Sequence, residues 1–408
     1  MGPLKNLLLV VALFFSAAAS HAQVQPVLGH TVRGTVVDSK SGRPVAAVSV
    51  SVPGRSYATV TNDDGVFVVK SDTPIRELLF TRLGYRSRRQ PVSGSPLRVK
   101  LVPEAYELTE SSIVSGDPYE IVKAAVEKIP ANYARRPELL RCFYRETLQK
   151  RQRYTYVAEA VARIYKTAYD IPGIISDRAA LDKSRVIISQ RMRDTLSVKM
   201  QGGPNMAIGF DAVKNGNVLF NPYDMPCYAY EMAPPAYIGD RLQFVIHISP
   251  DAEADYALYY GTLYIDRETL LFTRIELSLD MSDVLKATRA MLVRKPLSLR
   301  FTPKELSYVM NYKVGANGAQ LEYFRSGMRF NCDWKKRLIR TSYTVVNELV
   351  VTDVIEPAAQ IPRGEMFRTA DVLGDRAAEF FDPDFWKDYN IIEASESLEN
   401  AIGKLKKQ

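Results

Sequence analysis

Apolar side chains at every second position recur through this chain and leave it few choices of fold. Tyr156, Ala158, Ala160, Ala162 and Ile164 alternate with Val157, Glu159, Val161 and Arg163. Leu271, Thr273, Ile275, Leu277 and Leu279 alternate in the same way with Arg274, Glu276, Ser278 and Asp280, and Ile339, Thr341, Tyr343 and Val345 repeat the period. Only a strand sends successive side chains to opposite sides, so runs of this length predict a sheet with one packed face and one wet face. Gly261-Thr262-Leu263-Tyr264-Ile265 leads into Asp266-Arg267-Glu268-Thr269, which reads as a polar hairpin turn before the second of these strands.

Helical signals are fewer. Asp117 can cap a helix that opens on Pro118, with Glu120 three places after the cap. Ile121, Val122, Ala125, Val126 and Ile129 form its stripe, and Pro130 is expected to end it. Residues 282–293 predict a helix interrupting the strands. Leu398, Ala401, Ile402 and Leu405 predict a short amphipathic helix at the end. At 408 residues the chain has room for two or three domains of about 100–200 residues. A larger β-rich α+β domain is expected over 118–408, preceded by a polar linker over 104–117.

Ahead of the linker the pattern is strand, turn, strand. Thr35-Val36-Val37 runs into a polar turn from Asp38 to Pro44, and Val45, Val48 and Val50 lead out of it. Residues 57–61 and 66–69 read as strands about Asn62-Asp63-Asp64-Gly65, a hairpin turn whose Gly can supply the positive φ that closes it. Leu78-Leu79-Phe80 and Val99-Lys100-Leu101 add two more strands. Strands at intervals of about 8–12 residues with Gly and Pro between them predict a seven-strand-type antiparallel β-sandwich over 23–103. The fold class is therefore mainly β with a few helices.

Four blocks of this region occur in a telling order: Gly34-Thr35-Val36-Val37-Asp38; Gly42-Arg43-Pro44-Val45 with Val48 and Val50; Thr61-Asn62-Asp63-Asp64-Gly65-Val66-Phe67; and Leu79-Phe80-Thr81-Arg82-Leu83-Gly84-Tyr85. Together they resemble the carboxypeptidase regulatory-like domain. That family has a transthyretin-like β-sandwich and is common at the N-termini of exported Bacteroidetes proteins, TonB-dependent receptors included. Its name refers to a place beside a peptidase, so the resemblance implies a non-catalytic module. The remainder resembles the uncharacterised region that follows this sandwich in many such proteins, on Phe143-Tyr144-Arg145-Glu146, Gly261–Asp266 and Asp382-Pro383-Asp384-Phe385-Trp386. Leu263-Tyr264-Ile265-Asp266 with Thr269 is also similar to the half-barrel of periplasmic lipoprotein carriers, which implies a curved half-barrel sheet.

The N-terminus carries Lys5, an apolar run from Leu7 to Phe15 and small residues ending Ser20-His21-Ala22. This order is that of a secretory signal peptide over 1–22, too short in its apolar part to anchor in a bilayer. Export to the periplasm is expected, with or without association with the outer membrane, and it removes nucleic acid from the set of partners. The net charge is +8, of which Lys5 supplies one. It fits a solvated surface as well as peripheral contact with anionic lipid or glycan. The basic clusters Arg86, Arg88, Arg89 and Lys335, Lys336, Arg337, Arg340 are expected on solvated faces. Of Cys142, Cys227 and Cys332, one pair at most can join in an oxidising compartment; Cys332 lies on the apolar side of an alternation and is expected to be a buried thiol.

Catalytic constellations are missing from the text. Beyond the leader only His30 and His247 remain, and neither begins a zinc-binding H-x-x-E or H-E-x-x-H, so carboxypeptidase activity is not expected. Gly54-Arg55-Ser56-Tyr57-Ala58 lacks the closing Gly of a nucleophile elbow. No phosphate-binding Gly motif is present. Asp251, Glu253 and Asp255 lack the Gly and terminal Glu of a calcium loop and read as a solvated turn. Phe380, Phe381, Phe385 and Trp386 are expected to pin the C-terminal segment to the sheet. No catalytic, cofactor or metal residue is assigned.

The chain is therefore expected to be a non-enzymatic binding or docking protein of the Gram-negative envelope, its partner an envelope protein or a lipid or glycan ligand. One alternative is a periplasmic carrier holding an acyl chain or lipidated ligand in a half-barrel cavity, motivated by 23 tyrosines and many Phe and Leu in alternating strands. The second is an envelope hydrolase without a recognisable motif. A lining that faces a cavity and one that faces a covering helix give the same pattern, and only the structure separates them.

Overall fold

The computed structural model describes residues 29–104, 116–191, 202–292, 295–334, 340–381 and 391–406. The leader, most of the linker, the Lys335-Lys336-Arg337 cluster, Ile339 and the block 382–386 lie outside these residues. The protein is mainly β, with 49% strand and 15% helix.

Seven strands come first: β1 (His30–Asp38), β2 (Ser49–Ser51), β3 (Ala58–Val60), β4 (Val66–Ser71), β5 (Glu77–Arg82), β6 (Tyr85–Pro91) and β7 (Leu97–Leu101). They form one sheet in the order β4-β1-β7 and another in the order β3-β2-β5-β6. Val36, Phe67 and Val99 of the first sheet bury against Val50, Leu78 and Phe80 of the second, and the rings of Phe67 and Phe80 meet edge to face at 5.2 Å. The expectation of purely antiparallel pairing fails at one place, because β1 and β7 run parallel. The chain visits the other sheet between them and returns in the same direction.

The turn Asn62–Gly65 also differs from expectation. Its flanking strands belong to different sheets, so it is a corner of the sandwich and not a hairpin. Gly65 does take the expected positive φ of +71°, and a Cβ there would stand 2.4 Å from the Val36 carbonyl oxygen.

The remaining strands are β8 (Glu138–Lys150), β9 (Arg153–Lys166), β10 (Arg178–Ile188), β11 (Tyr228–Ile238), β12 (Arg241–Pro250), β13 (Tyr259–Asp266), β14 (Phe272–Leu279), β15 (Leu299–Gly315), β16 (Gly318–Trp334), β17 (Ser342–Ile355) and β18 (Met366–Phe367). They build one 11-stranded sheet, ordered β11-β12-β13-β14-β15-β16-β17-β8-β9-β10-β18 and not closed into a barrel. All its pairings are antiparallel. A register shift between Tyr264 and Ile265 makes Ile265 pair with Phe272 while Tyr264 pairs with Arg274. Thr273 is thereby the extra residue, and Phe272 takes the core position that simple alternation gave to Thr273.

Helices α1 (Pro118–Glu127), α2 (Ile129–Asn132), α3 (Asn205–Gly209), α4 (Val284–Met291), α5 (Leu373–Arg376) and α6 (Glu396–Lys406) complete the fold. Asp117 caps α1 by accepting from the Tyr119 N–H at 2.9 Å, and Asp283 caps α4 by accepting from Leu285 and Lys286. Pro130 does not end α1. The helix stops at Glu127, and Pro130 sits in the first turn of α2, where its missing N–H costs nothing.

One face of the large sheet carries the main core. The other was expected to be wet, and about Glu231, His247, Thr262 and Glu276 of β11–β14 it opens to solvent. At β8, β9, β16 and β17 it is covered. Val60 of the sandwich packs with Phe143, Tyr323, Val350 and Ile392, and Leu398 and Leu405 of α6 pack on Val157. Residues 391–394 run between sandwich and sheet, where the Thr59 hydroxyl donates to Ile391 O at 2.9 Å and Arg145 donates to Ile392 O at 2.6 Å.

Candidate functional site

A carrier needs an apolar hollow on the core face of the sheet. That face is filled by the chain itself. Val122 and Ala125 of α1, Met206 and Ile208 of α3, and Ala287 and Met291 of α4 bury there together with Tyr133, Leu219 and Phe220. Rings close the remaining space: Phe220 stacks on Phe272 at 4.7 Å, Phe210 on Tyr308 at 4.2 Å, and Tyr133 on Tyr169 at 5.0 Å. Gly318, with φ +121°, lets the β15–β16 hairpin touch Tyr133, since a Cβ there would stand 2.5 Å from the Tyr133 backbone. The tyrosine-rich lining thus faces a covering layer.

Several ionisable groups lie buried beside this core, and two of its acids, Asp211 and Glu146, are held by several hydrogen bonds each. Asp211 accepts from Lys166 Nζ at 2.5 Å, Tyr169 Oη at 2.9 Å and Tyr312 Oη at 2.8 Å. Burial opposes the charge on Lys166, but Asp211 and Asp177 outweigh it and its pKa rises. Glu146 accepts from Tyr156 Oη, from Tyr144 Oη at 2.8 Å and from the Gly203 N–H at 3.2 Å. Burial lifts its carboxyl above the ordinary range in spite of these bonds. Neither acid lines any of the clefts described below. Their role is to satisfy buried polar groups, not to meet a substrate.

The clefts lie elsewhere. On the uncovered face of β11–β14, register places Glu231, His247, Thr262 and Glu276 in one row across the four strands. His247 is exposed, its Nδ1 is 3.1 Å from Thr262 Oγ1, and Tyr260 stands half-exposed beside it in an open groove of about 450 Å³. His30 lies at the exposed start of β1, and among the described residues no group of His, Cys, Asp and Glu could hold a metal.

A second cleft, of about 160 Å³, lies between the sandwich and the sheet and is lined by Arg82, Arg274, Lys313 and Glu322 with Ser49, Ser51, Thr273 and Asn311. A third, of about 430 Å³, opens between Phe210, Tyr259 and Arg289.

Other expected residues fall as follows. Asp251, Glu253 and Asp255 are exposed in the loop between β12 and β13. Ser56 donates to Asp353 of β17 and so ties the sandwich loop to the sheet. All three cysteines are free thiols, Cys332 being buried as expected. Phe380 packs on the main core, but Phe381 is 64% exposed and pins nothing; Phe385 and Trp386 lie outside the described residues. Arg86 and Arg89 are exposed and paired with Glu104 and Glu77. The cleft residues Arg82, Arg274 and Lys313 were not singled out by the sequence, because they come from three distant strands.

Residues 32–113 match the family model of the CarboxypepD_reg-like domain, one part of the chain. No curated protein matches. Among solved structures, an outer membrane lipoprotein-sorting protein domain from Vibrio parahaemolyticus is similar at 10% identity, covering 60% of this chain and 94% of that one, with a TM-score of 0.28. A LolA superfamily protein from Nitrosomonas europaea is similar at 11% identity, covering 60% and 97%, with a TM-score of 0.21. MucB in the MucA/MucB complex of Pseudomonas aeruginosa is similar at 16% identity, covering 60% and 100%, with a TM-score of 0.19. Scores this low carry no functional argument.

Proposed function

We propose that this is an exported, non-enzymatic binding and docking protein of the cell envelope, in which the carboxypeptidase regulatory-like sandwich over 23–103 and the β-rich domain over 118–408 act as one rigid unit. The observation that carries the proposal is the filled core face of the large sheet. An acyl carrier must hold several methylenes in a dry hollow, each contributing about 0.8 kcal/mol when buried. Here α1, α3, α4 and the segment about Phe220 take that space. The groove over Glu231, His247, Tyr260 and Glu276 is polar and suits a surface contact with a partner protein or glycan. Among the described residues, no helix is long and apolar enough to cross a membrane.

Native mass spectrometry of the protein purified from its own envelope without detergent tests this. The expected result is the bare polypeptide mass. A reproducible excess mass that extracts into organic solvent and contains acyl chains would establish the carrier and overturn the docking role.

A further inference from the structure

The cleft between sandwich and sheet combines three features that the docking role does not use. Its walls come from both parts: Ser49, Ser51 and Arg82 from the sandwich, Arg274, Asn311 and Lys313 from the sheet. Its charge is unbalanced, with three cations against Glu322 as the one carboxylate among the lining residues. Glu276 lies outside the lining and is engaged with Arg274, whose Nε donates to it at 2.6 Å while Nη1 donates to Asn311 at 2.7 Å. Glu322 accepts from the Ser49 hydroxyl at 2.7 Å and stands 4.0 Å from Lys313 Nζ.

Arg82 is left over. Its Nη1 donates to the Ala47 carbonyl at 3.1 Å, and no ion pair joins it to a carboxylate among the described residues. It is held away from water, with the like charge of Arg274 close enough to act on it, and both effects push its pKa below the ordinary value. Arg82 and Arg274 line the same hollow, and Arg82 has no carboxylate partner there among the described residues. The planar fork of Arg matches the oxygens of a tetrahedral oxyanion, and paired forks bind it from two sides.

We propose that this cleft is a binding site for a small phosphate-class oxyanion, gripped between Arg82 of the sandwich and Arg274 of the sheet, with Lys313 and the Ser51 hydroxyl around it. At about 160 Å³ the hollow has room for a tetrahedral anion with accompanying water. The bound anion bridges the two parts of the molecule. This site is independent of whether the outer groove docks a partner.

Calorimetric titration of the full chain with inorganic phosphate, in chloride buffer at constant ionic strength, tests the site. Saturable binding at one site is expected, weakened at least tenfold by Arg82→Gln and by Lys313→Gln. Arg88→Gln, on the exposed edge strand, is expected to leave it unchanged. Glu322→Gln keeps an acceptor for Ser49 but removes the opposing charge, and is expected to tighten binding several-fold; it also keeps the test alive should Arg82→Gln fail to fold. Glycerol phosphate in place of phosphate separates the sources: equal binding identifies a phosphomonoester such as a headgroup, and loss of binding identifies the free anion. No saturable heat, or binding indifferent to Arg82→Gln, Lys313→Gln and Glu322→Gln alike, overturns the proposal.

Discussion

Glu138 opens β8 with 7% of its surface exposed, and burial raises its carboxyl from 4.5 to about 7 against the opposing pull of Asn317 and Lys166. Between those values the folded chain holds a proton that the unfolded chain has lost. The contribution of Glu138 to stability must therefore fall as the pH rises from about 4.5 to about 7, and level off above. A shift of this size corresponds to about 3 kcal/mol at 1.36 kcal/mol per pKa unit. Glu138→Gln, which stays neutral, is expected to flatten that part of the profile and to be the more stable protein at pH 8. Urea unfolding at pH 5 and pH 8 measures it, and an unchanged pH slope in the variant refutes the assignment. Nothing in the sequence marks Glu138 among 46 acidic residues. Its environment is made by Asn317 in the β15–β16 turn and Lys166 at the end of β9, and Asp211 likewise meets Lys166, Tyr169 and Tyr312 from distant parts of the chain. Titration behaviour belongs to the assembled sheet, so local patterns do not show it.

Single elements were far more legible, because each carries its own period. The stripe of α1, the helix within 282–293, the turn at Asp266 and the apolar side of α6 are all readable from short windows. The errors occurred where a second element decides. One extra residue at Thr273 moved Phe272 into the core, and that bulge is set by the pairing of β14 with β13, not by either strand alone. Likewise the stripe Leu398–Leu405 announces a helix with one buried side but not what it covers. It covers Val157, on the face of β9 that strict alternation assigned to water. Glu159, on that same face, is reached by Arg145 at 2.7 Å and Arg185 at 2.6 Å, so the charge that made the face look solvent-exposed is itself buried in an ion-pair network. Leu398→Ala empties part of this contact and is expected to cost about 2–5 kcal/mol in urea unfolding. Amide exchange should accelerate along β9 and β10 and stay unchanged in β11–β13. Equal acceleration in both regions would mean that α6 does not stabilise this end of the sheet in particular.

At the level of the whole molecule, the sandwich and the large sheet share a core that neither possesses alone. Val60 is 3% exposed, yet it lies outside the sandwich's own cluster of Val36, Val50, Phe67 and Phe80 and packs with Phe143, Tyr323, Val350 and Ile392 instead. Around it the polar contacts also cross over: Ser49 to Glu322, Thr59 to Ile391, Asn62 to Ala394. A sequence pattern identifies two modules through their separate periodicities, but a valine turned toward a partner looks the same as one turned inward, so the junction was invisible. Shared burial makes the two parts unfold together when the contact outweighs the difference in their separate stabilities. The intact chain is expected to show a single calorimetric transition. Val60→Asp removes a contact that contributes about 1.5–3 kcal/mol through the valine alone and sets a charge among apolar side chains, while leaving the sandwich's inner core untouched. It is expected to split the transition in two, whereas Val50→Ala, inside the sandwich, lowers the midpoint of a transition that stays single. A single transition in Val60→Asp with the wild-type enthalpy would show that the sandwich is tethered to the sheet without being coupled to it.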